Sequence, residues 1–355
     1  MRGFAALTPG EARSWVAARG HPGYRADQLL RWFYRSDAES FAAMTNLPQG
    51  LREGLAADFS FSTVTPTQEV KADSGKTVKY LFRLSDGELL ESVSMHYPRK
   101  GASSERTTVC LSTQVGCAVR CPFCATGLAG LNRNLEAAEV IDQVLAVCRR
   151  EARSGRRVSH LVYMGMGEPL HNIDATIASV GRFCDPGGLG LGARRVTVST
   201  SGVVPGIEAL AGSGLGVNLA VSLHSPDDEL RDQLVPLNRR WQVGAVVRAA
   251  DSYAVRTGRR VSYEYVMLGG VNDGLDMGDR LGRLLHGRLA HVNLIPYNAI
   301  PGDPYLASPR IQVEAFRDKV KSHGLECTIR DTRGRSIDAA CGQLRAEAAA
   351  APAQT

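Results

Sequence analysis

Gly116-Cys117-Ala118-Val119-Arg120-Cys121-Pro122-Phe123-Cys124 sets three cysteines at C-x3-C-x2-C in one short, glycine-led loop. A structural zinc site takes four tetrahedral ligands, usually as two pairs. A ferredoxin-type cluster takes four thiolates. This loop offers three. A [4Fe–4S] cluster held by three thiolates keeps one iron open to a ligand from outside the chain. The alternatives are a structural zinc loop with a distant fourth ligand, or three thiols with no common role. They are set aside because the rest of the chain supplies a matching ligand pocket.

Outward from this loop, from residue 106 onward, the pattern is strand, loop, helix, repeated. Strands are expected at 107–111, 159–164, 195–199, 216–223, 261–268 and 291–295. Amphipathic helices are expected near 136–152, 173–183, 205–212, 244–256, 276–286 and 309–322. Alternation of this kind predicts an α/β fold with a parallel barrel. Six units fall short of the eight that close the usual form. The expectation is therefore a partial (β/α)6 barrel whose open side suits a large substrate. A further strand at 326–330 leads into Asp331-Thr332-Arg333-Gly334.

Before the barrel, residues 1–62 read as a small helical module. Thr8-Pro9-Gly10-Glu11 is a capping box with proline at the first helical position. Helices follow from Arg25 to Tyr34 and from Asn46-Leu47-Pro48 to about Phe59. Trp15, Tyr24, Trp32, Phe33 and Tyr34 interleave with Arg13, Arg19, Arg25, Arg31 and Arg35. Such a mixture can grip RNA by stacking and phosphate contact, but a small core with a charged rim is the more economical reading. Residues 63–105 form a β-meander extension. Ser74-Gly75 and Asp86-Gly87 are its turns, Glu91 lies on its third strand, and a polar loop follows at 98–105. The barrel spans 106–345, and 346–355 is expected to be a disordered tail.

The chain of 355 residues has length for a sizeable core, 44% hydrophobic content and a formal charge of +6. That charge permits a nucleic-acid partner without demanding one. The densest basic run, Arg149, Arg150, Arg153, Arg156 and Arg157, closes a helix, where cations suit the dipole. No apolar run reaches the ~18 residues of a membrane span, and the N-terminus lacks the apolar core of a signal peptide. A cytoplasmic protein with no membrane partner is expected. Eight cysteines in such a chain suggest metal or redox chemistry more than a disulfide framework.

Sites in parallel barrels form on loops at the C-terminal ends of strands, and the polar motifs here fall there in turn. After the cysteine loop come Gly165-Met166-Gly167-Glu168-Pro169, Ser199-Thr200-Ser201-Gly202, Ser222-Leu223-His224, Asn272-Asp273 and Pro296-Tyr297-Asn298. Any one could be ordinary turn chemistry. Six on one rim describe a ligand site, whose glycines let backbone approach closely.

Two more cysteines sharpen the reading. Cys110 stands in Val-Cys-Leu-Ser-Thr-Gln-Val-Gly-Cys, and Cys341 in Ile337-Asp338-Ala339-Ala340-Cys341-Gly342-Gln343-Leu344. With the cysteine loop, Met164-Gly165-Met166-Gly167-Glu168-Pro169 and Val-Ser-Leu-His, these motifs closely resemble the RlmN/Cfr family of radical S-adenosylmethionine (SAM) RNA methyltransferases, over nearly the whole chain. The loop between Glu91 and Cys110 is longer than the family pattern suggests.

The resemblance implies a [4Fe–4S] cluster on Cys117, Cys121 and Cys124. It implies SAM on Gly167, Glu168, Ser199, Ser222, Leu223, His224 and Asn298, with Glu168 accepting from the ammonium and Asn298 reading the adenine edge. Adenine C2 and C8 are sp2 carbons that cannot attack the methyl of SAM directly. In the family Cys341 first takes a methyl from one SAM. A radical generated from a second SAM then activates that methyl for addition to adenine. Cys110 releases the product by bonding to the Cys341 sulfur, in a transient disulfide. Glu91 matches the family's general base. The implied substrates are an adenosine of 23S rRNA in the peptidyl transferase centre and the adenosine 3′ of the anticodon in tRNA. The implied partner is an external, flavodoxin-like one-electron donor, and a monomer is expected. Methylation at C2 is the RlmN-type expectation, and C8 the Cfr-type alternative. A non-catalytic RNA-binding protein with a structural metal loop is the rival of another class. Cys148, Cys184 and Cys327 are assigned to packing, where free cysteine behaves as a small hydrophobe.

Overall fold

A computed structural model describes residues 1–35, 37–98, 105–300 and 302–345. Most of the polar loop expected at 98–105 and all of the tail at 346–355 lie outside the described residues.

The N-terminal module runs β1 (Arg2–Gly3), α1 (Pro9–Ala17), α2 (Tyr24–Arg35), α3 (Gln49–Asp58) and β2 (Phe59–Ser60), with β1 and β2 paired in parallel. The capping box starts α1: Glu11 N–H donates to Thr8 Oγ1 at 3.1 Å and Thr8 N–H to Glu11 Oε2 at 2.7 Å. Phe33 and Tyr34 are buried, and Phe33 meets Phe4 edge-on at 4.7 Å. These aromatics are core, as the more economical reading has it. Trp15 sits nearer the surface, where its Nε1–H donates to Asp58 at 2.8 Å and Arg19 stacks over it.

β3 (Val64–Ala72), β4 (Thr77–Leu84) and β5 (Leu89–Tyr97) form the antiparallel meander. It is not a detached extension. β5 pairs antiparallel with β6 (Arg106–Cys110), so the meander is one wing of the barrel sheet. The physical reason is the exposed edge: a first barrel strand with no neighbour would leave a row of unpaired N–H and C=O groups. Residues 91–94 on β5 are buried.

From β6 the chain passes through β7 (Gln114–Gly116), the cysteine loop, α4 (Ala125–Ala129) and β8 (Leu131–Asn134) into α5 (Ala137–Ala152). β7 and β8 pair antiparallel and bracket the loop. Then follow β9 (Val158–Tyr163), α6 (Ile173–Cys184), β10 (Val196–Thr200), α7 (Val204–Gly212), β11 (Asn218–Ser222), α8 (Asp228–Leu234), α9 (Val243–Thr257), β12 (Val261–Met267), α10 (Leu275–Leu285), β13 (Ala290–Pro296), α11 (Arg310–Lys321) and β14 (Glu326–Ile329). The ten-stranded sheet has the order β14-β13-β12-β11-β10-β9-β6-β5-β4-β3 and does not close. Seven of its strands run parallel, the expected six plus β14. Val, Leu and Tyr side chains of these strands are buried in the core under the helices, while Ser199, Ser222 and Glu264 face the cavity. Cys327 lies in this core, and Cys148 and Cys184 pack against it. Among the described residues no helix is long and apolar enough to cross a membrane.

Candidate active site

The C-terminal ends of the parallel strands surround a cavity of about 180 Å3. Cys117, Cys121 and Cys124 line one side. Gly167, Glu168, Ser199, Ser222, His224 and Asn298 line the rest. With Cys341, which also lines it, ten of the residues singled out in sequence meet here, and Cys110 lines an adjoining cavity described below.

Burial pushes the Cys117 thiol up to about 12 and also raises Cys121 and Cys124. Three such thiols become thiolates only if a positive group is placed among them, which is what bound iron supplies. Among the described residues no set of three His, Cys, Asp or Glu is drawn together as around a single metal ion. Three cysteine thiols on one cavity, with no fourth protein ligand drawn in among the described residues, are the donor set that a [4Fe–4S] group with one open iron takes.

The loop after β9 is held against the segment entering the cysteine loop. A Cβ on Gly165 would stand 2.7 Å from Leu111 O, and one on Gly167, at φ +97°, would stand 2.5 Å from Gln114 Cβ. These glycines serve close approach between two loops, not only approach to a ligand. Gln114 Oε1 then accepts from Glu168 N–H at 2.8 Å. The Glu168 carboxylate accepts from Leu170 N–H at 3.0 Å and from Ser201 N–H and Oγ–H, both at 2.7 Å. It is an oriented acceptor with room for one further donor.

Arg231 fixes the serine-bearing strand ends. Fully buried, it donates to the carbonyls of Leu223 (2.9 Å), Ser201 (2.6 Å) and Ser222 (3.2 Å) and to Asn238 Oδ1 (2.8 Å). Its burial lowers its pKa to about 10. Leu223 itself is a correction. Its side chain is core, its N–H donates to Glu264 O at 3.0 Å, and it does not line the cavity. His224 does, at φ +61°. Val266 N–H donates to its Nδ1 at 3.1 Å, so the ring proton sits on Nε2. Burial lowers its pKa to about 3, leaving a neutral donor. Phe123 packs edge-on against it at 5.1 Å.

Asn298 differs from expectation. Its Nδ2–H donates to Cys341 O at 3.3 Å and its Oδ1 accepts from Arg335 Nε–H at 2.8 Å. The amide thus holds the C-terminal segment, while Asn298 still lines the cavity.

That segment brings Cys341 to the cavity. Cys341 also lines a second, smaller cavity of about 40 Å3, which Cys110 lines too. Met164, Ile295, Asn298 and Arg330 belong to both cavities. Both cysteines are free thiols, and burial pushes Cys110 up to about 12. Arg330, half-buried, directly follows β14. Its charge is favoured first by Cys341, then by Glu264 and Cys110, against the cost of burial. Sequence reasoning passed over Arg330 and Arg231. The one signal for either is an arginine inside a run of apolar strand or helix residues.

Glu91 is not on either cavity wall. Its Oε1 pairs with Lys79 Nζ at 3.0 Å and its Oε2 accepts from Arg345 N–H at 2.8 Å. Burial raises its pKa, with Lys79 opposing. In this arrangement Glu91 anchors the chain just beyond Cys341.

The sequence model of the Radical SAM superfamily matches residues 111–277, and that of the Ribosomal RNA large subunit methyltransferase N-terminal domain matches residues 5–60. A relative from Thermobifida fusca, named as a probable dual-specificity RNA methyltransferase RlmN, is 50% identical over 98% of this chain and 96% of its own. One of the same name from Streptomyces coelicolor is 46% identical over 97% and 94%. A crystal structure of a radical SAM methyltransferase from Sphaerobacter thermophilus is 48% identical and superposes with a TM-score of 0.93, covering 98% of this chain and 100% of that one. An open parallel barrel carrying a three-cysteine loop on its rim is thus the framework of a radical SAM methyltransferase. Its cofactors are a [4Fe–4S] cluster and SAM. Within that class the chain belongs to the RlmN family.

Proposed function

We propose that the chain methylates C2 of an adenosine in 23S rRNA and of the adenosine 3′ of the anticodon in tRNA, by way of a methyl group carried on Cys341. The supporting observation is the position of Cys341 at the wall shared by two cavities. One cavity holds the three-cysteine loop and the other holds Cys110. The relatives named as dual-specificity RNA methyltransferases support the two RNA substrates. A cytoplasmic location follows from those substrates.

Cys117, Cys121 and Cys124 would hold the cluster. Glu168, Ser199, Ser222 and His224 would hold SAM, Glu168 through its one remaining acceptor site and His224 through Nε2–H. Bound together, cluster and SAM supply a one-electron cleavage that removes hydrogen from an unactivated methyl group. The chain's own residues do the rest. Cys341 sulfur takes the methyl by displacement, in the stretch of wall it shares with Arg330. Once the methyl carbon is joined to the base, the adduct must give up one electron, which the group held by the three cysteines would take back. It must also give up the C2 proton, which a general base removes. The Cys110 thiolate sulfur then bonds to Cys341 sulfur. The sulfur–carbon bond breaks, and the carbon leaves with the bonding pair and takes a proton to become methyl. For Glu91 to act as the base, Arg345 must first release it. The test is anaerobic assay on rRNA fragments and tRNA with nucleoside mass spectrometry. Methyl at C2 on either RNA is the expected result, and methyl at C8 would assign the Cfr-type chemistry instead.

A further inference from the structure

The outer side of the cysteine loop carries a surface that the inner site does not use. Val119 lines the 180 Å3 cavity from within, and on the other side, with Ala118, it floors a shallow depression completed by Pro236, Leu237, Arg239 and Arg240. The loop is therefore one residue thick between the cavity and solvent. Arg120, Arg239 and Arg240 are exposed, and among the described residues none of them has a carboxylate within ion-pair distance. The neighbouring Asp228 and Asp232 are spent on Asn238 Nδ2, at 3.0 and 2.7 Å. Arg240 lies over the Trp241 ring at 4.6 Å, which holds it outward. The Arg120 guanidinium lies against Gly130, beside Leu128 and Leu131, which are 59% and 43% exposed.

Unpaired cations around an apolar floor form a docking surface for an acidic protein. Its position says which one. Cys341, where the RNA base must arrive, lies at the Phe123–Ala125 end of the loop, for Ala125 N–H donates to Gly342 O at 2.8 Å. The depression lies at the opposite, Ala118–Val119 end. We propose that the face formed by Ala118, Val119, Leu237, Arg120, Arg239 and Arg240 docks an acidic, flavin-bearing one-electron donor, which reduces the group held by the three cysteines from outside while RNA occupies the other end. The step moves one electron: the donor is oxidised by one and the cluster reduced by one, and no atom is transferred. The proposal rests on the cysteine loop holding a [4Fe–4S] cluster.

The test uses anaerobic, cluster-loaded protein, a bacterial flavodoxin and an rRNA fragment. Flavodoxin affinity is measured directly by flavin fluorescence at low and high salt. SAM cleavage is measured with reduced flavodoxin and, separately, with dithionite. The double variant Arg239→Glu/Arg240→Glu and the single variant Arg120→Glu should each weaken flavodoxin binding by about tenfold or more at low salt. The difference should shrink at high salt. Flavodoxin-driven cleavage should fall with it, while dithionite-driven cleavage and RNA affinity stay as in the parent protein. Arg239→Lys/Arg240→Lys should keep binding. Unchanged flavodoxin affinity in both charge-reversal variants overturns the proposal. So does an equal loss of RNA affinity, which would make this an RNA surface. If dithionite gives no SAM cleavage even in the parent protein, the radical reading fails, and the affinity measurement still decides the docking face.

Discussion

Ala125 donates its backbone N–H to the carbonyl of Gly342 at 2.8 Å, so the residue after the last loop cysteine is bonded to the residue after Cys341. Thr126 Oγ1–H donates to Leu344 O at 2.6 Å one step further along. The two chemical segments are 217 positions apart in the chain, from Cys124 to Cys341, yet are joined backbone to backbone.

Replacing Cys117, Cys121 or Cys124 by Ala should remove iron, sulfide, the brown colour of the anaerobic protein and SAM cleavage together. Three thiolates leave no spare ligand. A variant with full iron content and cleavage would take that cysteine out of the cluster.

Cys341→Ala should keep the cluster and SAM cleavage but accept no labelled methyl, on protein or RNA. Cys110→Ala should accept the methyl and join to RNA without releasing it. Denaturing gels would then show a nuclease-sensitive, RNA-sized addition mapping to Cys341. Normal release from the Cys110 variant would show that this thiol does not resolve the intermediate.

Glu91→Gln keeps an acceptor for Arg345 N–H but leaves Lys79 without its partner. The cost should be about 1–3 kcal/mol. Hydrogen exchange at residues 338–345 should quicken if Glu91 anchors that segment. Exchange unchanged, with methylation abolished, would argue for a purely chemical role.

His224→Ala removes the acceptor of Val266 N–H and should lower stability by about 1–3 kcal/mol and weaken SAM binding. His224→Asn should recover much of the stability, because Asn tolerates positive φ and its Oδ1 can replace Nδ1. It should recover SAM affinity only if Nε2–H is not needed. Calorimetry on both variants separates the two contributions.

Asp142 on α5 accepts from Thr63 N–H and Oγ1–H, both at 2.8 Å, at the seam between the helical module and the barrel. Burial raises its pKa from 3.8 to about 7. A raised folded pKa gives stability that is full below the unfolded value and lost as pH rises through the folded one. Melting temperature should therefore fall between pH 4 and 7 relative to Asp142→Asn, which does not titrate. Parallel curves for the two proteins would contradict the raised value.

The sequence made the strands legible because short Val-, Leu- and Tyr-rich runs between turn residues leave an apolar record; most of the parallel strand bounds lie within two residues of expectation. β7 and β8 went unread because Gln114–Gly116 and Leu131–Asn134 have no such run. The cysteine loop and the serine-bearing strand ends were legible as local motifs. The partners of Glu91 and Asn298 were not, because they depend on where a distant segment comes to rest: Arg345 is 254 positions from Glu91 and Cys341 is 43 from Asn298. Leu223 was misplaced because strand alternation turns every second residue inward, and Ser222 and His224 take the cavity side.

Cys110 ends β6, the strand on which the sheet changes from antiparallel to parallel, opposite Val93 on one side and Val162 on the other. A residue clamped in two ladders is held in place, whereas Cys341 lies on a segment fastened by separate hydrogen bonds at Gly342, Leu344 and Arg345. The Cys110 thiol, pushed up to about 12, is also a poor nucleophile until its surroundings change, since the thiolate is the reactive form. The resting enzyme can thereby keep two cysteines in adjoining walls without forming the dead-end disulfide. On the proposed chemistry, loosening of that segment would admit water to Cys110 and would couple protection against self-oxidation to the timing of product release.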